Sequence, residues 1–151
     1  MLMKLIIIAV GKEKDFEGRE LVADYSARIS QYAPIEWRYV EPSNARGEGI
    51  RICAIADKLG AGTYMVALDE KGKEYDSTAF ADFIQSRMNE SVRFLVIVIG
   101  GSYGLDASVR DRAQSTIALS KLTFPHQLVR LILAEQLYRA CTIIKGEKYH
   151  H

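Results

Sequence analysis

Runs of consecutive apolar residues alternate along this chain with stretches in which apolar residues recur every three or four positions. Buried strands and amphipathic helices are therefore predicted to alternate from end to end. Lys4 to Val10 is a continuous, isoleucine-rich run of the kind that parallel strands covered on both faces carry, and Gly11 ends it. From Asp15 to Tyr32, Leu21, Tyr25, Ile29 and Tyr32 keep helical spacing, which predicts the first crossover helix. Pro34 stops it, and Ile35 to Val40 alternates as a second strand. The turn-rich stretch Glu41 to Gly49, EPSNARGEG, reads as a loop and a mobile lid, followed by a short helix from Ile50 to Leu59 that Gly60 ends.

Thr63 to Leu68 is predicted as the third strand and Asp69 to Ser77 as a charged turn. Phe80, Phe83, Ile84 and Met88 then mark another amphipathic helix. Val92 to Ile99 is the fourth and most hydrophobic strand. It runs into Gly100-Gly101-Ser102-Tyr103-Gly104, a short helix over Asp106 to Gln114 and a last strand near Thr116 to Ala118. Pro125 keeps Phe124 extended, so Leu119 to Phe124 is expected on the rim before a long helix over Gln127 to Ile144. One stripe of that helix, Val129, Leu133, Leu137, Ala140 and Ile144, is assigned to the core. The other face mixes Leu128, Leu131, Ile132 and Tyr138 with Arg130, Glu135 and Arg139, a composition that suits a partner subunit or a substrate. The whole reads as an α/β chain with a mostly parallel sheet flanked by helices.

Composition narrows the classes. A chain of 151 residues, 48% hydrophobic and 26% charged, suits one ordinary globular domain over 1–151. Its 20 basic and 19 acidic residues give a formal charge of +1, so any RNA contact must rest on local clusters of basic residues. The opening LIIIAV run is too short for a membrane span and lacks the flanks of a secretion signal, which leads to the expectation of a cytoplasmic protein with no membrane partner. Cys53 and Cys141 match neither a disulfide framework nor a metal-ligand spacing, so no metal is expected and both are read as small core residues.

Chemistry is best sought at strand ends, where ligands sit in parallel sheets. The GGxxG turn after Ile99 offers close backbone approach, yet it is neither a dinucleotide fingerprint nor a phosphate-binding loop. The loop Leu119 to Phe124 and the segment after Leu68 follow strands in the same way. The closing KGEKYHH gathers two lysines, a tyrosine and two histidines behind a core helix, and by itself suits a solvated end as well as a site. His126, after a proline at a helix start, is expected to be structural and neutral.

Four pieces together, MKLIIIAVGK, VIGGSYGL, LSKLTFPHQLVRLILAEQLYRA and the closing GEKYH, resemble the RlmH family of the SPOUT methyltransferase superfamily. The resemblance runs from end to end and is weakest around Ser43 to Lys58. It implies a C-terminal trefoil knot, an exception to the rule that chains do not thread loops. It implies S-adenosyl-L-methionine as cofactor, with Leu68, Gly100, Leu119, Ser120, Lys121, Leu122, Thr123 and Phe124 at the cofactor positions. It further implies a homodimer that methylates N3 of a pseudouridine in large-subunit (23S) ribosomal RNA within the assembled ribosome. Arg139, Tyr149 and His150 match positions near the reacting base. Arg139 and His150 are expected to be catalytic, and all three to contact RNA. A ribosome- or nucleotide-binding α/β module without methyl transfer is the competing reading.

Overall fold

The computed structural model describes residues 2–151. Its strands are β1 (Lys4–Val10), β2 (Ile35–Val40), β3 (Thr63–Glu74), β4 (Phe94–Ile99) and β5 (Ser115–Ala118). Between them run α1 (Arg19–Ile29), α2 (Ala45–Leu59), α3 (Ser77–Asn89), α4 (Ala107–Arg112) and α5 (His126–Lys145), with a 3-10 turn at Glu13–Asp15. All strand pairs are parallel, in the order β2-β1-β4-β3-β5. The alternating α/β pattern and the parallel sheet thus stand as expected.

The sheet is covered on both faces, which is why its central strands are apolar at every position. Leu5, Ile7 and Ala9 of β1 face Ile29 of α1, Phe80 and Ile84 of α3, and Leu133, Leu137 and Ala140 of α5. Ile6, Ile8 and Val10 face Ile52 and Ala56 of α2 and Val109 of α4. Each fully buried aliphatic side chain contributes about 1.5–3 kcal/mol relative to exposure. Cys141 lies in the first of these clusters, where burial pushes its thiol up to about 11. Cys53 is half-buried, and both cysteines are free.

Three expectations are corrected. The supposed lid does not reach Gly49, because Asn44 caps α2 by accepting from the Gly47 N–H at 2.7 Å, so the helix starts at Ala45. Glu48 and Gly49 are buried rather than looped out. Gly49 packs so closely on α4 that a Cβ there would meet Asp106 Cβ at 3.0 Å and Ser108 Oγ at 3.1 Å. Second, the turn after Leu68 is a bulge inside one long strand: Leu68 and Lys73 both oppose Ile117, and pairing with β5 resumes. Gly72 makes this possible, since a Cβ on it would lie 2.7 Å from the backbone of Thr116 and Ile117. Third, Arg130 does not belong to an open face of α5, because its side chain is among the largest fully buried ones. Among the described residues, no helix is long and apolar enough to cross a membrane.

Candidate functional site

The bulge of β3 and the carboxyl ends of β4 and β5 open into one cavity of about 880 Å³, at the upper end of the range for small-molecule sites. One wall comes from inside a strand and the other two from strand ends. The β3 bulge supplies Leu68, Asp69 and Glu70; the turn after β4 supplies Ile99, Gly100 and Leu105; the β5–α5 loop supplies Leu119, Ser120, Leu122, Thr123 and Phe124. His126 and Val129, from the first turn of α5, close the base. Seven of the eight residues singled out at cofactor positions therefore meet at one place. Lys121 is the exception, with its side chain 84% exposed and paired to Glu74 at 3.6 Å.

Side-chain bonds tie the loops to one another. Thr123 Oγ1 donates to Glu70 Oε2 at 2.5 Å, fastening the β5–α5 loop to the bulge. The Leu122 N–H donates to Ser120 Oγ at 3.0 Å, and Arg110 donates to the Leu105 carbonyl while standing 3.6 Å from Asp69. The Gly104 N–H closes the glycine turn onto Gly101 O at 3.0 Å. A Cβ at Gly100 would meet Gly104 C at 3.0 Å and Leu105 Cγ at 3.1 Å, so this glycine lets the turn fold back on itself. The walls alternate aliphatic side chains with backbone amides and two carboxylates, which suits a ligand with an apolar ring, a polar edge and a cationic centre.

His126 is half-buried, and burial together with the Arg130 guanidinium holds its imidazole below the usual range, in keeping with a neutral ring. Arg130 donates from Nη2 to the Val10 carbonyl at 2.6 Å and from Nη1 to Lys12 O at 3.4 Å, linking α5 to the end of β1. Its guanidinium lies 5.3 Å from the Tyr39 ring centre.

The second group of expected residues assembles elsewhere. Arg139 donates to Glu135 Oε1 from Nε at 2.8 Å, and its Nη1 stands 3.1 Å from His150 Nδ1. The bond to Glu135 raises the Arg139 guanidinium above its ordinary range. Arg139 lies 4.9 Å from the Tyr149 ring centre, and Tyr149 meets Tyr138 edge-on at 4.8 Å. Burial, with help from a hydrogen bond to Tyr25, pushes the Tyr149 phenol up to about 12. Tyr32 donates to Glu147 Oε2 at 2.5 Å, fastening the tail to the end of α1. Arg139, Tyr149 and His150 thus come together, but none of them walls the cavity.

Two features escaped the sequence reading. Glu48 is buried beside the glycine turn, where Asn44 four residues earlier was the available signal of a helix start. Arg130 is buried too; nothing in a helical pattern separates a buried arginine from a solvated one.

Comparisons with known proteins cover the whole chain. A family model described as "Predicted SPOUT methyltransferase" matches residues 3–150. A ribosomal RNA large subunit methyltransferase H from Cytophaga hutchinsonii is 45% identical over 99% of this chain and 100% of its own length. One from Trichlorobacter lovleyi is 43% identical over 99% and 100%. Among solved structures, a probable methyltransferase from Bordetella pertussis Tohama I superposes with a TM-score of 0.58 at 14% identity, over 93% of this chain and 96% of that one. With a family model spanning nearly its whole length and relatives this similar from end to end, the chain belongs to the SPOUT methyltransferase family, among its ribosomal RNA large subunit methyltransferase H members.

Proposed function

We propose that this chain, a single SPOUT domain with its C-terminal segment knotted, transfers a methyl group from S-adenosyl-L-methionine to N3 of a pseudouridine in large-subunit ribosomal RNA. It acts in the cytoplasm, as a homodimer on assembled ribosomes. The observation that carries the reading is the convergence of Leu68, Gly100, Leu119, Ser120, Leu122, Thr123 and Phe124 on one cavity. The walls fit the cofactor. Leu68, Leu119 and Leu122 offer apolar faces to a flat adenine, and the backbone of the β5–α5 loop offers donors and acceptors to its edge. Asp69 and Glu70 add negative charge to the lining, which would suit a sulfonium and an ammonium.

When bound, the sulfonium supplies an electrophilic methyl group. What the chain adds is position and proton control. The bond from Thr123 to Glu70 holds two loops at a fixed separation, so the walls are set before substrate arrives. Arg139, oriented by Glu135, presents a guanidinium face that favours a ring bearing the negative charge left by loss of the imide proton. His150, next to Arg139, is placed to contact the substrate and to take up that proton, while the Tyr149 phenol stays a hydrogen-bond donor across the physiological range. Because this trio does not wall its own chain's cavity, the second copy supplies it.

The test is methyl incorporation from labelled S-adenosylmethionine into ribosomes lacking the modification, with mass spectrometry of the digested RNA locating the label. Methyl on N3 of a pseudouridine is expected. A preparation that binds the cofactor yet labels no ribosomal pseudouridine overturns the substrate.

A further inference from the structure

Beside the cavity lies a smaller recess of about 190 Å³, between the end of β1 and the starts of α2 and α5. Gly11, Lys12, Ser43, Glu48 and Arg130 help to wall it, and Ser102, Tyr103 and His126 belong to both spaces, so the two are contiguous. A water needs only about 30 Å³, and the recess has room for a flat ring.

Glu48 marks this recess as a place for a ligand. It is 3% exposed, and its Oε2 accepts the Ser43 N–H at 2.9 Å. Among the described residues, its Oε1 is buried without a hydrogen-bond partner. Buried acceptors are rarely left so, because burial without a donor is costly. Gly101 leaves the space this oxygen occupies, since a Cβ there would stand 3.2 Å from it. The missing partner must be a donor. A phosphate brings only acceptors, and a metal ion would find one carboxylate and one imidazole, short of the set that holds such ions. A ring N–H fits both the shape and the polarity.

We propose that this recess receives the target base and that Glu48 Oε1 accepts the N1–H that pseudouridine has and uridine lacks. The proposal rests on the pseudouridine reading above and adds the residue that selects this base. Pseudouridine joins its ribose through carbon, which leaves N1–H free; uridine offers a C–H at that edge. N3 is not the atom held by Glu48: it must present its in-plane lone pair to the methyl group, and a fixed carboxylate on that line would block transfer. A site built around a substrate N–H rejects an analogue without it far more strongly than apolar contacts do.

The test compares wild type, Glu48→Gln and Glu48→Asp on ribosomes carrying either pseudouridine or uridine at the target position. Gln keeps the shape and the Ser43 bond but turns an amide donor toward N1–H, whereas Asp keeps an acceptor. Wild type is expected to prefer pseudouridine by about a hundredfold or more in kcat/KM, and Glu48→Gln to bring that ratio within about threefold of unity. Glu48→Asp retains the preference at reduced rate. Cofactor affinity by calorimetry stays within about twofold for both variants, showing a folded cavity. A Glu48→Gln enzyme that keeps the wild-type ratio overturns the proposal, as does a wild type that methylates both ribosomes equally. A wild type that methylates neither overturns the substrate reading itself and this inference with it.

Discussion

Replacing Arg130 tests whether a buried cation holds the last helix to the first strand. The side chain is 2% exposed and lies within 6 Å of two aromatic ring centres, Tyr39 at 5.3 Å and Phe16 at 5.8 Å. Arg130→Met keeps the aliphatic stem and removes the fork. The 2.6 Å bond to the Val10 carbonyl is charge-assisted and buried, worth about 1.5–3 kcal/mol, whereas the 3.4 Å contact with Lys12 O adds little. Each ring contact adds about 0.5–1 kcal/mol, and relief of the cation's desolvation works the other way. The balance is a loss of about 2–3 kcal/mol. With a urea slope of about 1–3 kcal/mol/M, the midpoint should fall by roughly 0.7–3 M with no change in slope, at a fixed protein concentration. Arg130→Lys should lose most of the same amount, because an ammonium cannot span the fork. If Arg130→Met unfolds within about 0.5 kcal/mol of wild type, desolvation cancels the bonds and the clamp argument fails.

Gly72→Ala places a Cβ 2.7 Å from backbone atoms of Thr116 and Ile117 that can yield only by parting β3 from β5. Stability should drop by about 1–3 kcal/mol and cofactor affinity by about tenfold or more in calorimetry, since Leu68 lies on β3 and Leu119 directly follows β5; unchanged affinity would refute the coupling. His126 is held below the ordinary imidazole range, so below about pH 6.5 the unfolded chain takes up a proton that the folded chain resists. Stability from this residue is therefore lost as pH falls, and His126→Gln should flatten the drop in Tm between about pH 7 and pH 5; an equal drop in the variant would assign it to another group. Deleting residues 149–151 should leave cofactor affinity unchanged and lower ribosome methylation by about a hundredfold or more, and full activity would remove the tail from the site.

The central strands and their order of appearance were legible because a strand buried on both faces has no polar position to hide. β1 and β4 kept their apolar runs, and only the edges of β4 and of α1 and α4 shrank. What misled was polarity used as evidence of a loop. Glu48 and Gly49 read as polar and flexible, but one is buried against the turn after β4 and the other lacks a side chain because α4 passes too close. The same bias turned charged Asp69 to Glu74 into a turn, although Lys73 and Glu74 resume pairing with Ile117 and Ala118 of β5 once Gly72 removes the clash. The cavity residues after β4 and β5 were legible as strand ends, Leu68 lies inside β3 instead, and the resemblance named them individually. Nothing in spacing showed that Lys121 would turn out to solvent toward Glu74.

The separation of cavity and tail follows from the length of one helix. His126 and Val129, in the first turn of α5, wall the cavity, while Arg139 lies 13 residues beyond His126. At 1.5 Å per residue, that is about 20 Å along a rigid axis. No arginine side chain reaches back over such a span, and the tail is fastened at the far end, where Tyr32 holds Glu147 and Tyr149 packs on Tyr138. A chain that needs both groups at one methyl transfer must therefore bring the first turn of one α5 beside the last turn of another. Two copies related by a twofold axis with their last helices antiparallel meet that demand twice over. The exposed Leu128 and the half-buried Leu131, Ile132 and Tyr138 are the residues such a pairing would cover.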